Sequence, residues 1–259
     1  MCRLFGIIAN QPVNIRFSFF HADKPFKKFA KTNPHGWGIA WYQNKKPNLF
    51  KESMAKSKHY HFGKIKEVKS QIIISHVRYA TKGKSKKTNT HPFLYKGFVF
   101  AHNGTIGRKP LYDVLNKKFK KEVKGETDSE VLFLLIMQFF EATKDIVESI
   151  KKAIELARKE SHTGLNFLLS NGANLYAFRD TNKNKSYFSL YYLKRNKSPH
   201  PINYLSKVTR KLMKSHDVID KKAVLFSSEP LTKKENWKQV NMRSLITVDE
   251  KLNIKKTII

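Results

Sequence analysis

Ile72, Ile73 and Ile74 stand in a row within residues 71–79, and residues 98–101 form a second unbroken apolar run. Continuous runs of β-branched and aromatic residues, as opposed to alternating ones, predict strands covered on both faces. Such strands need a layer above and a layer below, which constrains the fold more than any other feature of the chain. At 259 residues the chain can supply those layers within one large domain.

The other segments follow in an orderly way. Residues 1–9 read as a buried first strand, with a turn at Asn10–Pro12. Residues 38–42 and 49–52 read as a hairpin around the polar turn 43–48. The run at 98–102 closes with Asn103-Gly104. Thr127 and Glu130 have capping-box spacing and open a helix that is apolar on most sides. Residues 145–160 carry Ile146, Ile150 and Ile154 at spacing four, which predicts an amphipathic helix. Residues 166–170 and 175–179 flank Asn171-Gly172, a type I′ hairpin signal. Further strands are expected at 187–193, 223–227, 244–248 and 252–258, with a basic loop holding two prolines at 194–202. Strands, two helices, then strands again predict an α+β layered fold in a single domain over residues 1–259.

The formal net charge of +31 would suit a nucleic-acid partner, but 42 of the 51 basic residues are lysine, spread along the chain. Base and phosphate recognition leans on the planar fork of arginine, so a lysine-rich composition is the plainer account. Nothing approaches a membrane span. Residues 1–12 lack the basic segment and cleavage site of a secretory signal. With a single cysteine the expectation is a cytoplasmic protein without disulfides. His59-Tyr60-His61 offers two metal ligands at best, so neither a metal nor a cofactor is expected.

Four short motifs carry chemistry. Cys2 supplies a thiol, and loss of Met1 would put an α-amino group of pKa about 7.7–8.0 beside it as a base. Alone, Cys2 reads more plainly as a small residue of the first strand. Arg78, within His76-Val77-Arg78-Tyr79-Ala80-Thr81, could meet a substrate carboxylate in a bidentate pair. Alone, it is a surface arginine paired with a glutamate, and His76 is a satisfied core histidine. Asn103 and Gly104 could donate to an oxyanion, or simply make a turn. Asp128 could hold an ammonium, or simply favour the start of a helix. Read together, the four describe a site for a ligand with both amino-acid charges and a side-chain amide, namely glutamine.

These motifs resemble those of class II glutamine amidotransferases, N-terminal-nucleophile (Ntn) hydrolases, and specifically their stand-alone bacterial type-4 group. The resemblance runs through residues 1–6, Asn33-Pro34-His35-Gly36-Trp37-Gly38-Ile39, residues 76–81, Thr90-His91-Pro92-Phe93, residues 101–104, 125–130 and 166–170, and Ser228-Glu229-Pro230-Leu231-Thr232 with Trp237. It implies a four-layer αββα sandwich of two mostly antiparallel sheets. It also implies Cys2 as nucleophile, Asn103 and Gly104 as oxyanion donors, and Arg78 and Asp128 as glutamine ligands, with Tyr79 and Thr81 beside them. His35 departs from the family pattern, which often has Asp before Gly-Trp-Gly.

The expected reaction is glutaminase-type hydrolysis of a γ-glutamyl amide through a thioester, releasing ammonia; any ammonia-accepting enzyme is expected to be a separate chain. One alternative substrate is another γ-glutamyl amide, such as a γ-glutamyl-cysteine-type compound. The loop Lys82–Lys87 could cover the pocket, although a solvated loop is the plainer expectation. A more distant alternative is a basic nucleic-acid-binding protein with an inactive domain.

Overall fold

Alternate residues of the apolar strands point into two different cores. The protein is seen here as a computed structural model describing residues 2–53, 61–196, 202–205, 212–215 and 221–259. Its strands among these residues are β1 (Arg3–Asn14), β2 (Trp37–Gln43), β3 (Lys46–Glu52), β4 (Lys69–Val77), β5 (Phe93–Tyr95), β6 (Phe98–Asn103), β7 (Asn166–Ser170) and β8 (Leu175–Arg179). They continue with β9 (Tyr191–Arg195), β10 (Ile202–Leu205), β11 (Leu212–Ser215), β12 (Ala223–Ser227), β13 (Lys238–Gln239), β14 (Ser244–Val248) and β15 (Ile254–Ile258). The helices are α1 (Phe29–Thr32), α2 (Arg108–Val114), α3 (Lys117–Glu122), α4 (Asp128–Thr143) and α5 (Ile146–Lys159).

Seven strands pair in the order β13-β9-β12-β1-β4-β2-β3, and six in the order β15-β14-β8-β7-β6-β5. Their pairings are antiparallel, and β10 and β11 form a separate hairpin. Leu4 and Ile8, Ile72 and Ile74, and Val224 and Phe226 of the first sheet meet Val99, Ala101, Leu168 and Ala177 of the second. The residues between them face outward. Phe5, Ile7, Ile73 and Leu225 pack under Phe17, Phe19, Phe26 and Ala30, from the short helical segments between β1 and β2. Phe100, Phe167 and Phe178 pack against Leu132 and Leu135 of α4 and Ile150 of α5. This is the expected four-layer αββα sandwich. Gly6 of β1 faces the second sheet without a side chain, and a Cβ there would lie 2.8 Å from Leu168 Cδ1.

Some local expectations are corrected. Residues 10–12 do not turn: β1 runs on to Asn14, with a register shift between Ile8 and Val13. Asn10 is held there by bonds to the backbone of Lys222. The hairpin turn expected at 43–48 shrinks to Asn44 and Lys45, both at positive φ, with Gln43 opposite Lys46. The Asn171-Gly172 loop has four residues and is no two-residue type I′ turn, because Asn171 Oδ1 accepts the N–H groups of Ala173 and Asn174. Residues 187–190 stay outside β9, where Asn184 Oδ1 caps a turn at Ser186 and Tyr187. Lys194 and Arg195, expected in a loop, belong to β9, and residues 197–201 lie outside the described residues. Thr127 caps α4 as expected, through Glu130 N–H, but Glu130 does not return to Thr127 and accepts the N–H groups of Lys124 and Gly125.

Candidate active site

Arg3 pairs with Val77 where β1 lies beside β4, which brings Cys2 next to the segment that follows β4. Cys2 Sγ accepts the Tyr79 N–H at 3.2 Å and lies 3.4 Å from the Tyr79 carbonyl oxygen. The thiol is half-buried, while the Tyr79 side chain is exposed. Burial pushes the Cys2 thiol up; the Tyr79 N–H and the Arg78 guanidinium pull it down, and Asp128 adds to the rise. The charges of Arg78 and Asp128 therefore both reach the sulfur.

Arg78 is not a surface arginine. It is 3% exposed, and its guanidinium sits in a cage of backbone carbonyls. Nη1 donates to His35 and Lys84 at 3.3 Å each, and Nη2 to Lys82 at 2.6 Å and Gly83 at 3.1 Å. The loop expected to be merely solvated thus wraps its backbone around Arg78. Lys82 Nζ also reaches the Ile106 carbonyl at 3.4 Å.

Asp128 opens α4 and is buried; its Oδ2 accepts the Ile106 N–H at 2.6 Å. The hydroxyls of Thr105 and Thr81 are 3.0 Å apart. A bonded path therefore runs from Cys2 through Tyr79–Thr81 and Thr105–Ile106 to Asp128, passing the residues that follow Gly104. Asn103 is buried at the end of β6, opposite Asn166. A Cβ on Gly104 would lie 1.8 Å from the Gly164 carbonyl oxygen, so only glycine fits there. Behind it, the buried His102 ring lies 2.9 Å from Ser129 Oγ and 3.2 Å from the Gly164 carbonyl oxygen.

His76 is a core histidine but not a satisfied one. Its ring lies 4.2 Å from that of His91, tilted by 40°, and among the described residues the nitrogens of both rings lack a hydrogen-bond partner. Burial lowers the pKa of His76 to about 3. His35 fixes the backbone after Arg78, since its Nδ1 accepts the Ala80 N–H at 3.1 Å, as an aspartate oxygen could. Burial, followed by Arg78, lowers its pKa and favours the neutral ring that can accept.

Two supporting residues escape single-sequence reasoning. Arg3 Nη1 donates to the Cys2 carbonyl at 3.2 Å, and Arg3 Nε donates to Glu229 at 2.8 Å. The Arg-Leu-Phe and Ser-Glu-Pro segments that hold them are the only signal, at opposite ends of the chain. His61 Nδ1 lies 2.6 Å from Glu52, while His59 and Tyr60 lie outside the described residues. Among the described residues no group of three or more His, Cys, Asp or Glu could hold a metal, and no helix is long and apolar enough to cross a membrane.

The class-II glutamine amidotransferase family matches residues 1–254. A Haemophilus influenzae relative, named only for that family, is 33% identical over 92% of this chain and 80% of its own length. YafJ of Escherichia coli, named in the same way, is 29% identical over 93% of this chain and 94% of its own. The solved structure of a glutamine aminotransferase class-II domain protein from Silicibacter pomeroyi superposes with a TM-score of 0.64 at 22% identity, covering 99% of this chain and 98% of that one. The glutamine phosphoribosylpyrophosphate amidotransferase of B. subtilis shares the fold at a TM-score of 0.66 and 15% identity, with 99% of this chain covering 49% of that one. The chain belongs to the class-II glutamine amidotransferases.

Proposed function

We propose that, once Met1 is removed, the protein hydrolyses glutamine or a related γ-glutamyl amide with Cys2 as nucleophile. The observation that carries this reading is the Cys2 thiol resting on the Tyr79 N–H, one residue from Arg78 and linked to Asp128 through the Thr81–Thr105 contact and the Ile106 N–H. Because burial pushes the thiol up, it keeps its proton at neutral pH and needs a base within reach. The freed α-amino group of Cys2 is that base.

Arg78 exchanges carbonyls of its cage for the α-carboxylate of the substrate, and Asp128 takes its α-ammonium, with Tyr79 and Thr81 alongside. The amine accepts the thiol proton, and sulfur attacks the amide carbon. The Asn103 side-chain amide and the Gly104 N–H stabilise the resulting oxyanion. On collapse the C–N bond breaks, and the ammonium of Cys2 returns the proton to the departing ammonia. Water, deprotonated by the same amine, then cleaves the thioester and releases glutamate. The clamp reads only the glutamyl head, so other γ-glutamyl amides fall within this reading.

The test is the mass of the purified protein before and after a glutamine-like electrophile, followed by turnover on a panel of γ-glutamyl amides. One adduct on a Met1-less chain, located at Cys2, is the expected result. An adduct elsewhere, or full turnover with Met1 in place, overturns the reading.

A further inference from the structure

A cavity of about 340 Å3 opens between β3, β5 and the first turns of α4, and none of the residues assigned above to the glutamyl site lines it. Phe93, Leu94, Phe133 and Leu134 give it apolar walls. Its polar side carries Lys51, Lys87 and Lys124 against Glu122 and Glu130. The Glu130 carboxylate is already engaged, accepting the N–H groups of Lys124 at 3.1 Å and Gly125 at 2.7 Å. Lys51 Nζ lies 5.2 Å from the centre of the Phe93 ring and donates to the carbonyls of Thr90 at 2.8 Å and Lys87 at 3.4 Å. Those carbonyls take two of its three N–H bonds. A cation set among aromatic and aliphatic walls, in a cavity of this size, suits an anion with an apolar body.

The same residues lead to the glutamyl site. Lys87 and Thr90 end the loop whose carbonyls at 82–84 hold Arg78. Asn89 Nδ2 donates to Lys84 O at 3.0 Å and to Glu126 at 2.9 Å, and its Oδ1 accepts the Glu126 N–H at 2.7 Å. Asp128 is two residues further on. We propose that this cavity is an effector site for an amphipathic monocarboxylate, and that the loop 82–90 transmits its occupancy to Arg78 and Asp128. The binding claim stands on the cavity; the coupling claim rests on the glutamyl-amide reading above.

The test is calorimetric titration of the full chain with 4-phenylbutyrate and with its neutral amide, alongside the variants Lys51→Met and Leu94→Glu. Leu94 is 43% exposed at the rim, so its substitution leaves the core intact. The acid is expected to bind saturably at one site, about tenfold more tightly than the amide, and about tenfold more weakly to either variant. The KM for glutamine should shift over the same range of acid concentrations in the parent and not in Leu94→Glu. Equal binding of acid and amide, binding unchanged in both variants, or no saturable binding overturns the site. Lys51-dependent binding to a chain that cleaves no γ-glutamyl amide supports the site and sinks the glutamyl reading instead. Binding to an active enzyme without a shift in KM overturns the effector role.

Discussion

Asp128 Oδ2 accepts the Ile106 N–H at 2.6 Å, so the first residue of α4 is tied to the segment that follows Gly104. In Asp128→Asn the amide oxygen can still accept that bond, while the negative charge is lost. We expect kcat/KM for glutamine to fall about tenfold to a hundredfold, mainly through KM, with little change in the denaturation midpoint. Unchanged kinetics would remove Asp128 from the clamp.

Cys2 contacts the backbone of Tyr79, and its thiol is only half-buried. Replacing it with alanine should therefore leave the fold intact. Turnover should fall by at least about 10³-fold, the scale on which loss of a nucleophile is felt. Amide hydrolysis at the parent rate in Cys2→Ala would move the chemistry elsewhere.

Four backbone carbonyls converge on the Arg78 guanidinium. A lysine keeps the charge but cannot span them. Arg78→Lys should lower stability by about 1–3 kcal/mol in urea denaturation and raise the KM for glutamine. A variant with parent stability would show that the cage does not need its occupant.

Burial lowers the pKa of His76 to about 3, and those of His91 and His102 also fall with burial. These rings stay neutral in the fold while the unfolded chain takes up protons below about pH 6.5. Their contribution is therefore intact above that pH and is lost as pH falls toward the folded values. His76 alone should cost on the order of 2 kcal/mol at pH 5. Denaturation curves at pH 7 and pH 5 measure this, and His76→Gln should flatten the difference.

A methyl group at position 104 would strike the Gly164 carbonyl oxygen. Gly104→Ala should displace the end of β6 from Gly164, lowering the melting temperature and kcat together. A variant that melts and turns over like the parent would show that this approach tolerates a side chain.

The layered architecture is legible because its strands hide both faces: 166–170, 223–227 and 244–248 match β7, β12 and β14 to the residue. The helix starts are nearly as legible: Thr127 is the cap that its spacing predicts, and Asp145, expected as the first residue of the next helix, caps it. The turns are less so. Asn44 and Lys45 adopt positive φ without a glycine, and Asn171 and Asn184 bend the chain with their side chains. Within the candidate site, Cys2, Arg78 and Asp128 stand out as residue types with chemistry. The carbonyl cage around Arg78 does not, because any residue can offer a carbonyl. The Arg3–Glu229 pair is hidden by a sequence separation of 226, and the acceptor role of His35 by the departure from aspartate.

β1 is an inner strand of its sheet, with β12 on one flank and Leu4 bonded in both directions to Ser228. During synthesis Cys2 emerges from the ribosome well before β12, the strand that flanks β1 on that side. Until then the strand next to Cys2 has β4 on one flank and nothing on the other, so the sheet around it is completed as a late event in the birth of each molecule.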